Sequence, residues 1–156
     1  MKNKKRNPSN LMRLFLITVL IISGCKNKTL NEINYSLYTK PIAKLNSYKA
    51  IVIIPSKGCG GCITGAETFM IQNYQGNARK NIFYILTGHE SKKSAKIKFG
   101  SIINNNNVYV DTTSRFNINP FFSTYPQFLR LDDGEVVNRQ EINPNTSETI
   151  YNQIIE

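Results

Sequence analysis

Six residues, Lys57-Gly58-Cys59-Gly60-Gly61-Cys62, stand between a short apolar run and the start of a helical pattern. The run before them, Ala50-Ile51-Val52-Ile53-Ile54, is β-branched and nearly continuous, as expected of a strand buried on both faces. After them Cys62, Ile63, Ala66, Phe69, Met70 and Tyr74 recur at helical spacing, with Thr64, Glu67 and Gln72 between. The spacing predicts a strand-to-helix turn with Cys59 at or just before the first helical turn. There the unpaired N–H groups and positive end of the helix favour a thiolate, and Lys57 adds a nearby charge, unless it is simply a loop lysine. Cys62 lies one turn further on and can close a disulfide with Cys59. We read the two as a redox-active pair. A zinc half-site is the first alternative, but the chain offers only two such thiols and one His toward four ligands. An inert structural disulfide is the second. So short a loop removes little unfolded-state entropy, which makes a purely stabilising role physically poor.

The first 24 residues read as a separate segment. Lys2, Lys4, Lys5, Arg6 and Arg13 make a basic start, and Leu14 to Ile22 form an apolar stretch too short to span a bilayer comfortably. Ile22-Ser23-Gly24-Cys25 then places small residues directly before a cysteine. This order resembles the lipobox of bacterial lipoproteins, which implies cleavage before Cys25 and acylation of that cysteine. An uncleaved anchor, or an ordinary signal peptide with a chance cysteine, is the alternative. Segment 1–24 carries five basic and no acidic side chains, so its removal takes the formal charge from +10 to +5. That excess is spread out, with no dense basic cluster or aromatic interleaving, which argues against nucleic acid as a partner. Lys26 and Lys28 are placed instead to rest against anionic headgroups. With Cys25 acylated, Cys59 and Cys62 are left to pair with each other or with a partner protein. Export also permits disulfide chemistry.

One domain is expected, over residues 37–156, preceded by a polar tether over 25–36. Residues 37–48 carry a weak pattern for a short helix. A second buried strand is expected over 82–86, a brief basic helix over 91–98, an Asn-rich loop over 104–107 and a short strand at 108–110. The aromatic stretch 115–123 reads as core. Phe128–Leu131, Asp132-Asp133-Gly134 and Glu135–Val137 read as a hairpin, and 146–155 as an amphipathic helix. Glu67 is expected on the solvated face of its helix and His89 in a solvated loop. The order suits an α/β fold with a mixed central sheet flanked by helices.

With the cysteine pair opening a helix, and Tyr125-Pro126 directly before the hairpin, residues 48–155 resemble the thioredoxin fold. Within it the chain looks most like the membrane-tethered thiol–disulfide oxidoreductases of the TlpA/ResA type. The resemblance implies that Cys59 is the nucleophile and Cys62 the resolving thiol. It also implies that Pro126 is cis and, with Tyr125, shapes a groove for an extended peptide. The chain departs from the family at Gly58, where Trp is common, at Gly60-Gly61, which lacks the common proline, and at Ile53, where thioredoxin has a buried carboxylate. Tyr125 is a fourth departure, in place of a smaller or β-branched residue.

The expected function is lipid-anchored thiol–disulfide oxidoreduction in the bacterial cell envelope, facing the periplasm, with no cofactor and no metal. The expected partners are exported proteins carrying disulfides or thiols, a membrane or periplasmic electron donor, and the bilayer through Cys25. Peroxidase chemistry lacks its Thr/Ser and Arg surroundings at Cys59. The alternative from another class is a redox-inactive, thioredoxin-like adaptor of the envelope.

Overall fold

The computed structural model describes residues 28–39, 42, 45–75 and 81–155. The expected signal segment and Cys25 lie outside the described residues. Among these residues nine elements follow one another: α1 (Lys28–Tyr38), β1 (Ala50–Pro55), α2 (Gly60–Gln75), β2 (Ile82–Thr87), α3 (Lys92–Phe99), β3 (Val108–Asp111), β4 (Gln127–Asp132), β5 (Glu135–Glu141) and α4 (Ser147–Ile155). Short 3-10 turns occupy Leu45–Ser47 and Gly100–Asn104.

The strands form one sheet in the order β3-β2-β1-β4-β5. β1, β2 and β3 run parallel, joined through helices, whereas β4 and β5 are antiparallel. This is the mixed α/β sheet expected from the order of elements. Every residue of β1 and β2 is buried, because side chains on both faces of the central strands are covered. Val52 and Ile54 pack with Ile63, Ala66 and Met70 of α2, and with Ile150 of α4. Ile51 and Ile53 point to the opposite layer, with Ile33, Leu37, Phe116, Phe121 and Leu129. The β4–β5 hairpin turns at Asp133 (φ 48°) and Gly134 (φ 82°), two consecutive positive values as an Asp-Gly hairpin turn requires. Ser91 caps α3, accepting from the Ser94 N–H at 3.1 Å.

Three expectations change. The tether expected over 25–36 is a helix from Lys28 onward, and α1 carries Ile33 and Leu37 fully into the core. Its Asn34 binds both backbone groups of Val136, accepting from N–H at 2.7 Å and donating to C=O at 3.3 Å. The amide thereby occupies the free edge of β5 as a neighbouring strand would. Of the short helix expected over 37–48, Leu37 and Tyr38 end α1 and Leu45–Ser47 form a 3-10 turn among the described residues. In the stretch 115–123, Phe116 and Phe121 are core but Ile118 and Phe122 are exposed.

Candidate functional site: the Cys59–Cys62 disulfide and the loop facing it

β1 ends at Pro55, and after four intervening residues α2 begins at Gly60. Ser56 fixes the exit of the strand, with its N–H donating to Thr87 O at 2.9 Å and its hydroxyl to Gly88 O at 2.7 Å. Cys59 is the N-cap of α2, since its carbonyl accepts the first helical bond from Ile63 N–H at 2.9 Å. A disulfide joins Cys59 to Cys62 with their Cα atoms 5.3 Å apart. Both cysteines are half-buried, and Lys57, Gly60 and Gly61 are exposed, so the disulfide is open to a partner. The first turn of α2 contains no acidic residue, so no side-chain charge there offsets the positive helix end that favours a thiolate at its N-cap.

The Cys59 N–H donates to the carbonyl of Thr124 at 2.9 Å, tying the cysteine loop to the segment that leads into β4. The close approach explains the glycine before the first cysteine. Gly58 has φ 146°, and a Cβ there would overlap the Thr124 carbonyl oxygen. A large side chain at position 58 is therefore incompatible with this packing. Around Gly60 and Gly61 a Cβ would meet nothing within 4 Å, so these two positions are open.

The segment opposite is itself well held. Tyr125 N–H donates to Ser123 Oγ at 3.0 Å, and Ser123 Oγ donates to Glu141 Oε1 at 2.7 Å. Arg139 donates to Pro120 O at 2.9 Å, the Gln127 amide donates to Phe121 O, and Ile142 N–H donates to Pro126 O at 2.7 Å. Tyr125 is half-buried and Pro126 buried. The expected cis peptide bond at Pro126 is absent: Tyr125–Pro126 is trans, and the cis bond falls at Asn119–Pro120. With the chain in that course, it is the Thr124 carbonyl that reaches the cysteine loop.

Two features escape a reading of the sequence. Glu67 is not on a solvated face: it is 6% exposed and receives Lys98 Nζ at 2.6 Å. His89 is half-buried beside them, edge-on to Phe99. Its pKa is pushed below the ordinary value, chiefly by burial and then by the Lys98 charge, with Glu67 opposing. Helical spacing sets Glu67 between the apolar positions, on the solvated face, but its partner lies 31 residues away, beyond the reach of local pattern. The second feature is Asp111, fully buried at the end of β3. Burial would raise its pKa, but donors from the Phe116 N–H and Thr87 hydroxyl (both 2.8 Å), with further bonds from Thr113, outweigh it and hold the carboxyl below its ordinary value.

Among the described residues no three His, Cys, Asp or Glu side chains are grouped to hold a metal ion. Nor is any helix among them long and apolar enough to cross a membrane. A cavity of about 790 Å³, bordered by Lys49, Ile82, Phe128 and Arg130, opens at the other end of the sheet from the cysteines. The chain matches no protein-family model, no curated protein and no solved structure.

Proposed function

We propose that this chain is a thioredoxin-like, lipid-anchored thiol–disulfide oxidoreductase of the TlpA/ResA type, acting on exported proteins in the bacterial cell envelope. The observation that carries the reading is the accessible Cys59–Cys62 disulfide at the N-cap of a helix that follows the central strand. Support also comes from the sheet, where β1 has a parallel neighbour on one side and an antiparallel hairpin on the other. The anchor is Cys25, acylated after removal of residues 1–24.

In the reducing direction the pair starts as a dithiol. The Cys59 thiolate attacks one sulfur of the partner's disulfide, forming a mixed disulfide and expelling the partner's other sulfur as a thiolate. The Cys62 thiolate then attacks Cys59 Sγ, closing the Cys59–Cys62 disulfide and releasing the partner's second sulfur. Two electrons and two protons pass from the pair to the partner. A dithiol donor in the membrane or periplasm restores the reduced pair by the same exchange run on Cys59–Cys62. The helix N-terminus and Lys57 favour the Cys59 thiolate, and Tyr125 and Pro126 border the approach of the substrate.

A redox-inactive adaptor is the second reading, and one observation favours it. The Tyr125 N–H is already spent on Ser123 Oγ, so this donor is not free to pair with an extended peptide. Trapping separates the two readings. Cys62→Ser, reduced and then mixed with a disulfide-bonded peptide, should accumulate a mixed disulfide on Cys59, and Cys59→Ser should not. If neither variant captures the peptide, the adaptor reading replaces the enzyme.

A further inference from the structure

The outer side of α1 carries two tyrosines one turn apart, Tyr35 at 73% and Tyr38 at 91% exposed. Three residues before α1 begins stands Cys25, preceded in turn by an apolar stretch and a basic start, with Lys26 and Lys28 following. From this placement we propose that the Tyr35–Tyr38 face of α1 docks on a lipid surface, its rings in the headgroup layer. The proposal rests on the reading of Cys25 as the lipid attachment.

The chemistry favours a bilayer over other occupants. Tyrosine has an apolar ring and a polar tip, and it concentrates where one environment gives way to the other. Two grooves, of about 370 and 270 Å³, lie beside the rings and share Leu37, Tyr38, Leu45 and Gly134. Because α1 is packed on the domain through Ile33, Leu37 and Asn34, its orientation at a surface is the domain's orientation. A free tether would let the domain tumble; a docked helix three residues from the acylated cysteine does not.

The direction of that orientation follows from the sheet. Gly134 lies at the hairpin tip, beyond the point where Arg130 pairs with Ala50 at the start of β1. Cys59 follows the other end of β1, a six-residue strand that separates its two ends by about 17 Å. With Tyr35 and Tyr38 in the headgroups, the disulfide is turned away from the membrane, toward soluble partners.

The chain contains no Trp, so a single introduced indole reports its own surroundings. The full chain, processed and acylated, is reconstituted in phosphatidylcholine–phosphatidylglycerol vesicles carrying bromine near the headgroups. The Tyr38→Trp indole should shift to the blue, and bromolipid should reduce its emission roughly two-fold. Phe122→Trp, exposed in the segment whose Thr124 carbonyl meets the cysteine loop, should be unaffected. Equal quenching at both positions, or none at Tyr38→Trp on chains that float with the vesicles, overturns the docking while leaving the lipid on Cys25 intact. A blue shift that depends on protein concentration and not on lipid overturns it in favour of a second copy. If the chain does not float at all, the reading of Cys25 falls, and the docking with it.

Discussion

The backbone N–H of Cys59 donates to the carbonyl of Thr124 at 2.9 Å, across 65 residues of chain, and this bond holds the cysteine loop against the entry to β4. It makes the residue before Cys59 a packing element. Gly58→Ala must place a Cβ onto the Thr124 carbonyl from a backbone that L side chains rarely adopt. We expect a loss of about 1–3 kcal/mol in denaturant unfolding of the oxidised protein. Gly60→Ala and Gly61→Ala, at open positions in the first helical turn, should be neutral or stabilising by up to about 1 kcal/mol. Equal effects at positions 58 and 60 would remove the packing explanation.

The docking of α1 gives a second prediction. Asn34→Ala leaves both backbone groups of Val136 without their side-chain partner. Stability should fall by about 1–2 kcal/mol, and the Val136 amide should exchange about ten-fold faster with deuterium. Unchanged exchange would mean that the helix does not protect the edge of β5.

Lys98→Met should cost about 1–2 kcal/mol, because it strands the buried Glu67 carboxylate. The figure is kept low because Lys98 is half exposed and its charge partly screened. The same variant removes a like charge from beside His89, so the His89 pKa, followed by NMR, should rise. A fall in that pKa would contradict the arrangement of the cluster.

Acid should destabilise the fold in two stages. His89 has a folded-state pKa below its ordinary 6.5, so the unfolded chain binds the extra proton first. Its contribution is complete above about 6.5 and is lost as pH falls through the folded value. Asp111 also has a lowered folded pKa, so its contribution is complete above its ordinary 3.8 and is lost below that. Unfolding free energy measured against pH should therefore decline below about pH 6.5 and again below about pH 4. Asp111→Asn should remove the second decline, while costing about 1.5–3 kcal/mol at neutral pH.

The parts of the molecule written in local pattern were readable. The apolar runs at 50–54 and 82–86 became the two central strands, and the Asp133-Gly134 turn made its hairpin. α1 was hidden by composition. Its core face is only Leu30, Ile33 and Leu37, set among Asn, Lys, Glu and Thr, and the weak i, i+3, i+7 signal was outweighed by polarity. Glu67 and Thr124 were hidden by distance, since each takes its meaning from a partner that only the folded sheet brings close. The peptide bond at Pro126 depends on the course of the whole 117–126 loop, which no dipeptide encodes.

The most direct measurement is a redox equilibrium of the chain against glutathione, with alkylation to count free thiols at each poise. We expect a reversible two-electron transition between the Cys59–Cys62 disulfide and the dithiol, lost in both Cys59→Ser and Cys62→Ser. A pair that stays oxidised under every physiological poise, or that never closes, would contradict the oxidoreductase and leave the anchored adaptor in its place.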